Sequence, residues 1–189
     1  MKPVKNHKIV ALGDSITLGY PFTPEDSWVG ILRRERGWDI VNKGVNGDTL
    51  DGMLERFERD VQSFSPEVLI VTGGTNDAFN EYSLESMENN LSKIVKKAKA
   101  LGIKPVTGIP IPADDPVVEK KLEKFRGFLK EFCLREGIPY IDFYRALVGD
   151  SGRIKPEFDF DGVHPSREGY RAMAKAASKV IEEVWENEV

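Results

Sequence analysis

Four short segments of the chain carry side chains that could act together on an acyl group. Gly13-Asp14-Ser15-Ile16-Thr17 puts a hydroxyl at a tight strand-to-helix turn, where helical N–H groups favour developing negative charge. Asn42-Lys43-Gly44-Val45-Asn46-Gly47-Asp48-Thr49 has the glycines that let backbone approach a ligand closely. Gly73-Gly74-Thr75-Asn76-Asp77 offers the amide of Asn76, a donor suited to an oxyanion hole. Asp161-Gly162-Val163-His164-Pro165 spaces a carboxylate and an imidazole so that one local turn can join them, fixing the tautomer and supporting the imidazolium. Alone, each segment also reads as an ordinary turn or helix cap. Together they supply a hydroxyl, a base, an orienting acid and oxyanion donors, the set that nucleophilic acyl transfer requires. The first segment is not a Gly-x-Ser-x-Gly elbow, because Ile16-Thr17 follows the serine.

These segments can cooperate only if the fold brings them to one place. Short apolar runs bounded by Gly or Pro predict buried strands at Lys8 to Leu12, Asp39 to Asn42, Glu67 to Thr72, Pro105 to Ile109 and Tyr140 to Phe143. Between them, apolar residues recur at helical spacing. One stripe is Leu50, Leu54, Phe57, Val61 and Phe64; others run over Leu84 to Leu101, Val118 to Phe132 and Tyr170 to Val184. A shorter helix from about Asp26 to Arg36 fills the first crossover. Asp115-Pro116 reads as a cap followed by Pro at the first helical position, and Gly102 and Gly137 as helix stops. Strands alternating with helices predict an α/β domain with an open parallel sheet covered on both sides. Ligands then bind beyond the carboxyl ends of the strands, where all four segments fall.

The chain has 189 residues, 27 basic and 31 acidic, for a formal net charge of −4. One domain spanning 1–189 is expected. A single Cys excludes an internal disulfide framework and a multi-cysteine zinc site, and Cys133 reads as a small buried hydrophobe. The mild acidity argues against a nucleic-acid partner, and no apolar run is long enough to cross a membrane. Met1 to Val10 is too short and polar for a secretory signal, which predicts a cytoplasmic location. Of the two histidines, His7 precedes the first strand and is expected at the surface of the opposite edge, leaving His164 as the imidazole for chemistry.

With its four blocks in order, the sequence resembles the SGNH hydrolases, or GDSL esterase/lipase family, from Lys8 to about Val184. The matching blocks are Gly13-Asp14-Ser15, Asn46-Gly47-Asp48, Gly74-Thr75-Asn76-Asp77 and Asp161 to His164. Ile16 stands where the family name has Leu, a conservative apolar exchange. The resemblance implies a three-layer α/β/α flavodoxin-like domain with a five-stranded parallel sheet and no metal or cofactor. It implies Ser15 as nucleophile, His164 as base and Asp161 as its orienting acid. The oxyanion donors would be the backbone N–H groups of Ser15 and Gly47 and the side-chain amide of Asn76. The expected reaction is hydrolysis of small acyl esters, thioesters or acetyl esters. Phe79, Ile111 and Val163 flank the motifs and are candidate pocket walls. Two other readings use the same residues: a metal-dependent phosphoesterase with Asp14, Asp77, Asp161 and His164 as ligands, and a non-catalytic ligand-binding module.

Overall fold

A computed structural model describes residues 7–186; residues 1–6, part of the stretch read above for a secretory signal, and 187–189 lie outside the described residues. The elements run β1 (Ile9–Gly13), α1 (Ser15–Leu18), α2 (Trp28–Arg36), β2 (Ile40–Gly44), α3 (Leu50–Glu55), α4 (Phe57–Asp60), β3 (Val68–Thr72), α5 (Thr75–Phe79), α6 (Leu84–Ala100), β4 (Lys104–Gly108), α7 (Pro116–Glu136), β5 (Tyr140–Ile141), α8 (Phe143–Leu147) and α9 (Arg167–Glu186). All five strands pair in parallel, in the order β2-β1-β3-β4-β5. The direction of winding reverses between β1 and β3, the place where open α/β sheets form their binding crevice.

Strand β1 explains why the sheet needs two covers. Ile9 and Ala11 point into one core with α2, α8 and α9, while Val10 and Leu12 point into the other with α3, α6 and α7. An apolar strand without alternation is therefore covered by helices on both faces, giving the expected three layers. The register sets the level of the functional edge. Gly13 of β1 lies beside Gly44 of β2 and Thr72 of β3, so the segments that follow these strands start from one line.

The long, strongly periodic helices form as the sequence predicts. Asp115 caps α7 by accepting from the N–H groups of Val117 and Val118, Pro116 is its first residue, and Gly137 closes it in the left-handed region. Three expectations are corrected. The stripe from Leu50 to Phe64 is not one helix: the chain breaks at Arg56, which ends α3 and begins α4. The fifth strand stops at Ile141, because the side chain of Asp142 accepts from the N–H of Arg145 and starts α8 there. His7 is likewise not a surface residue. It is 6 % exposed, bonded to Glu67 and stacked on Trp185, at the amino end of β1 and so away from the motif edge. Cys133 is buried, with its Sγ 3.0 Å from Thr107 Oγ1.

Candidate active site

Ser15 is the first residue of α1. Asp14 caps that helix: its Oδ1 accepts from the N–H of Ile16 at 2.9 Å. The serine Oγ lies 2.9 Å from His164 Nε2, although the two residues are 149 positions apart. The other ring nitrogen, Nδ1, is 2.9 Å from Asp161 Oδ2 and 3.1 Å from Oδ1. An ionised carboxylate only accepts, so this contact places the hydrogen on Nδ1 and leaves the Nε2 lone pair for the serine hydroxyl.

The Asp161–His164 turn is built locally. Asp161 Oδ1 also accepts from the backbone N–H groups of Val163 (3.0 Å) and His164 (2.7 Å). Gly162 has φ +86°, a conformation that glycine adopts without strain, and its carbonyl accepts from the N–H of Asp114. Burial pulls the Asp161 carboxyl upward, but the N–H of His164, its ring and the N–H of Val163 outweigh this and hold it below the usual carboxylate range.

The loop after β2 approaches from the other side. Gly47 sits at φ +74°, the left-handed region, in the segment from Val45 to Thr49. Asn76 Nδ2 donates to the carbonyl of Asp48 at 2.8 Å, which ties the amide to that loop and leaves its second hydrogen for another acceptor. Asp77, 0 % exposed, receives the N–H of Leu50 on both carboxylate oxygens, at 3.2 and 3.1 Å. Burial pushes Asp77 up to about 6 and Asp14 up to about 7, with neighbouring carboxylates adding to both shifts.

Arg56 fastens the same loop from below, a function the sequence reading missed. It is 8 % exposed, and its guanidinium donates to Asp48 Oδ2 (2.7 Å), Asp60 Oδ2 (2.9 Å), the carbonyl of Lys43 (2.9 Å) and the carbonyl of Gly13 (2.8 Å). One side chain thus joins the carboxyl ends of β1 and β2 to the loop that carries Gly47. The one local clue was the Arg56–Asp60 pair, four residues apart and flanked by the inward-facing Phe57 and Val61. Arg126 plays a comparable part after β4, donating to the carbonyls of Pro110 and Ile111 and to Glu119.

The motif residues therefore meet at one edge. Of the three suggested pocket walls, Phe79 is 40 % exposed and Val163 is half-buried, whereas Ile111 is a core residue at 2 % exposure. The phosphoesterase ligand set does not assemble. Asp14 and Asp77 are spent on helix N–H groups, and among the described residues no three His, Cys, Asp or Glu side chains are grouped to hold a metal ion. A groove of about 650 Å³ beside Leu134 and Tyr140 lies at the amino end of β5, the other end of the sheet from Ser15. Among the described residues no helix is long and apolar enough to cross a membrane.

Residues 11–172 match the GDSL-like Lipase/Acylhydrolase family. The chain is 26 % identical over 183 residues to the esterase TesA of Pseudomonas aeruginosa, covering 94 % of this chain and 85 % of that protein. It is also 26 % identical over 216 residues to an acetylxylan esterase of Geobacillus stearothermophilus, covering 98 % of each. A solved structure from the G-D-S-L family of Desulfitobacterium hafniense superposes with a TM-score of 0.88 at 31 % identity, covering 93 % of this chain and 99 % of that one. With this match over most of its length, the chain belongs to the GDSL-like lipase/acylhydrolase family.

Proposed function

We propose that this esterase works through an acyl-enzyme on Ser15, with His164 as general base and acid and Asp161 orienting the imidazole. The carrying observation is the run of contacts from Ser15 Oγ to His164 Nε2 and from Nδ1 to Asp161. In the first step His164 takes the serine proton as Oγ attacks the ester carbonyl. The tetrahedral oxyanion is received by the N–H groups of Ser15 and Gly47 and the free hydrogen of the Asn76 amide. His164 then passes its proton to the departing alcohol or thiol, and water repeats the sequence on the acyl-enzyme.

The substrates in this reading are carboxylic esters of short to medium acyl chain, including acetyl esters and thioesters. The names of the esterase and acetylxylan esterase relatives support that range. Phe79 and Val163 are the remaining candidates for pocket walls. A panel of p-nitrophenyl esters from two to sixteen acyl carbons, with an acyl-CoA and an acetylated xylose, measures the preference directly. Ser15→Ala is expected to lower kcat by a factor on the order of 10⁵ to 10⁶ and to abolish labelling by a fluorophosphonate probe. Turnover or labelling that survives the substitution overturns the assignment. Activity that disappears on EDTA treatment would favour the metal-dependent reading.

A further inference from the structure

The surroundings of His164 are aromatic in a way that the triad itself does not require. The Tyr20 ring lies 4.5 Å from the imidazole, centroid to centroid, tilted by 56°. Tyr20 is held from both ends of its peptide unit. Its N–H donates to the carbonyl of Ser15 at 3.0 Å, and its carbonyl accepts from the hydroxyl of the fully buried Tyr170 at 2.6 Å. Phe160 approaches His164 along the chain, its N–H donating to the His164 carbonyl at 2.9 Å. Its ring meets that of Phe22 edge-on at 6.0 Å, and Phe22 in turn packs on Tyr170 at 6.4 Å. Phe22 is half-buried within this row, but Tyr20 remains 42 % exposed and Phe160 54 % exposed. An exposed Tyr20 ring therefore borders the imidazole, and an exposed Phe160 ring stands one aromatic contact further along, on Phe22, with the two backbones anchored to Ser15 and His164.

The direction of proton transfer says which part of a substrate these rings meet. The imidazole that protonates the departing oxygen must lie next to it, so the groups beside the imidazole lie beside the alcohol half of the ester. Aromatic faces there reward a partner that is itself a ring, through stacking or through the apolar face of a sugar. A flexible linear alcohol offers less matched area and loses more rotamer freedom when it is held.

We propose that Tyr20 and Phe160 form a leaving-group subsite that takes the ring face of an aryl or sugar alcohol. This rests on the reading of Ser15 and His164 as nucleophile and base. The test compares kcat/KM for benzyl acetate, an acetylated methyl xyloside and n-propyl acetate in the intact protein and in the Phe160→Ala, Phe160→Leu and Tyr20→Leu variants. The ratio of ring ester to propyl ester is expected to fall about tenfold in Phe160→Ala and in Tyr20→Leu. Phe160→Leu, which keeps apolar bulk at an exposed position, guards against a folding failure and is expected to lower the ratio as well. The ring ester whose ratio falls further identifies the alcohol, aryl or sugar. The ratio of p-nitrophenyl acetate to p-nitrophenyl butyrate is expected to stay the same, because the acyl half lies elsewhere. Equal losses on all three alcohols, unmoved ratios, or an altered acyl-length preference would overturn the subsite. A wild-type protein that cleaves none of the esters and takes no fluorophosphonate label would instead overturn the underlying assignment.

Discussion

The two sides of the candidate site are built on opposite principles. On the base side, Asp161 and His164 share one short turn, Asp161 is 37 % exposed, and its carboxyl is held low by N–H groups and the imidazole. On the oxyanion side, Asp14, Asp77 and Arg56 are all buried, their partners come from four different segments, and burial drives both carboxyls up. The contrast follows from the work expected of each side. A base needs the right tautomer and reach, which a local turn can supply. Donors for an oxyanion must already be aimed before charge develops, which calls for a loop fixed at several points. Mutations should therefore separate the sides: those at the base side cost activity alone, and those supporting the oxyanion side cost activity and stability together.

Asp161→Asn is the sharpest break. The Asn Oδ1 can still accept from the N–H groups of Val163 and His164, so the turn survives. Its amide, however, donates toward Nδ1 and favours the tautomer that cannot take a proton from Ser15. A fall in kcat of about 10⁴ is expected, with stability changed by no more than about 0.5 kcal/mol. A large drop in Tm, or a near-normal kcat, would contradict the division. For Asn76→Ala, stopped-flow or steady-state kinetics should give a kcat lower by about 10² to 10³, the usual consequence of losing one oxyanion donor. A loss confined to KM would remove Asn76 from that role.

Arg56→Met tests the buried clamp. It strands Asp48 without its guanidinium partner, leaves Asp60 to Arg59 and Lys43 alone, and takes a donor from the Gly13 and Lys43 carbonyls. Breaking a buried pair in this way costs about 3–5 kcal/mol, or roughly 10 °C in Tm for a chain of this size. The same change loosens the loop that holds Gly47, and kcat is expected to fall by about ten- to a hundredfold with KM little changed. A variant that melts early yet turns over normally would make Arg56 a purely structural residue.

This contrast also accounts for what the sequence disclosed. The base side was legible because its logic is local: Asp161, Gly162 and His164 lie within four residues, and their types alone suggest the turn. The long helices were legible for a similar reason, since α6, α7 and α9 carry unbroken apolar stripes and α7 has its own cap. The oxyanion side was legible only as motif residues. Its supports depend on distant pairings, such as Arg56 with Gly13, 43 positions away, and Asp77 with Leu50, 27 positions away. Nothing in the residues around Arg56 states that its charge is buried, and the break between α3 and α4 follows from the same hidden role. The burial of His7 was missed likewise, because its partners Glu67 and Trp185 come from remote parts of the chain.

The smallest predicted effect is the one that belongs to the buried carboxyls themselves. Asp14 is raised to about 7 in the folded protein from an ordinary value of 3.8, so between these pH values the folded state holds its proton and the unfolded state does not. Stability from this group is fully present below about pH 4 and is lost as pH rises through about 7. Asp77, raised to about 6, acts in the same direction over a narrower window. Asp161 on the base side is lowered and acts oppositely, contributing stability above the ordinary carboxylate range and losing it in acid. Asp14→Asn keeps an oxygen for the Ile16 N–H but removes the titration. The wild type is therefore expected to lose more Tm than Asp14→Asn between pH 5 and pH 8, and the Asp161→Asn variant should keep the wild-type slope over that range. Parallel melting curves for wild type and Asp14→Asn would mean that the Asp14 carboxyl is ionised throughout, and the electrostatic half of the contrast between the two sides would fall.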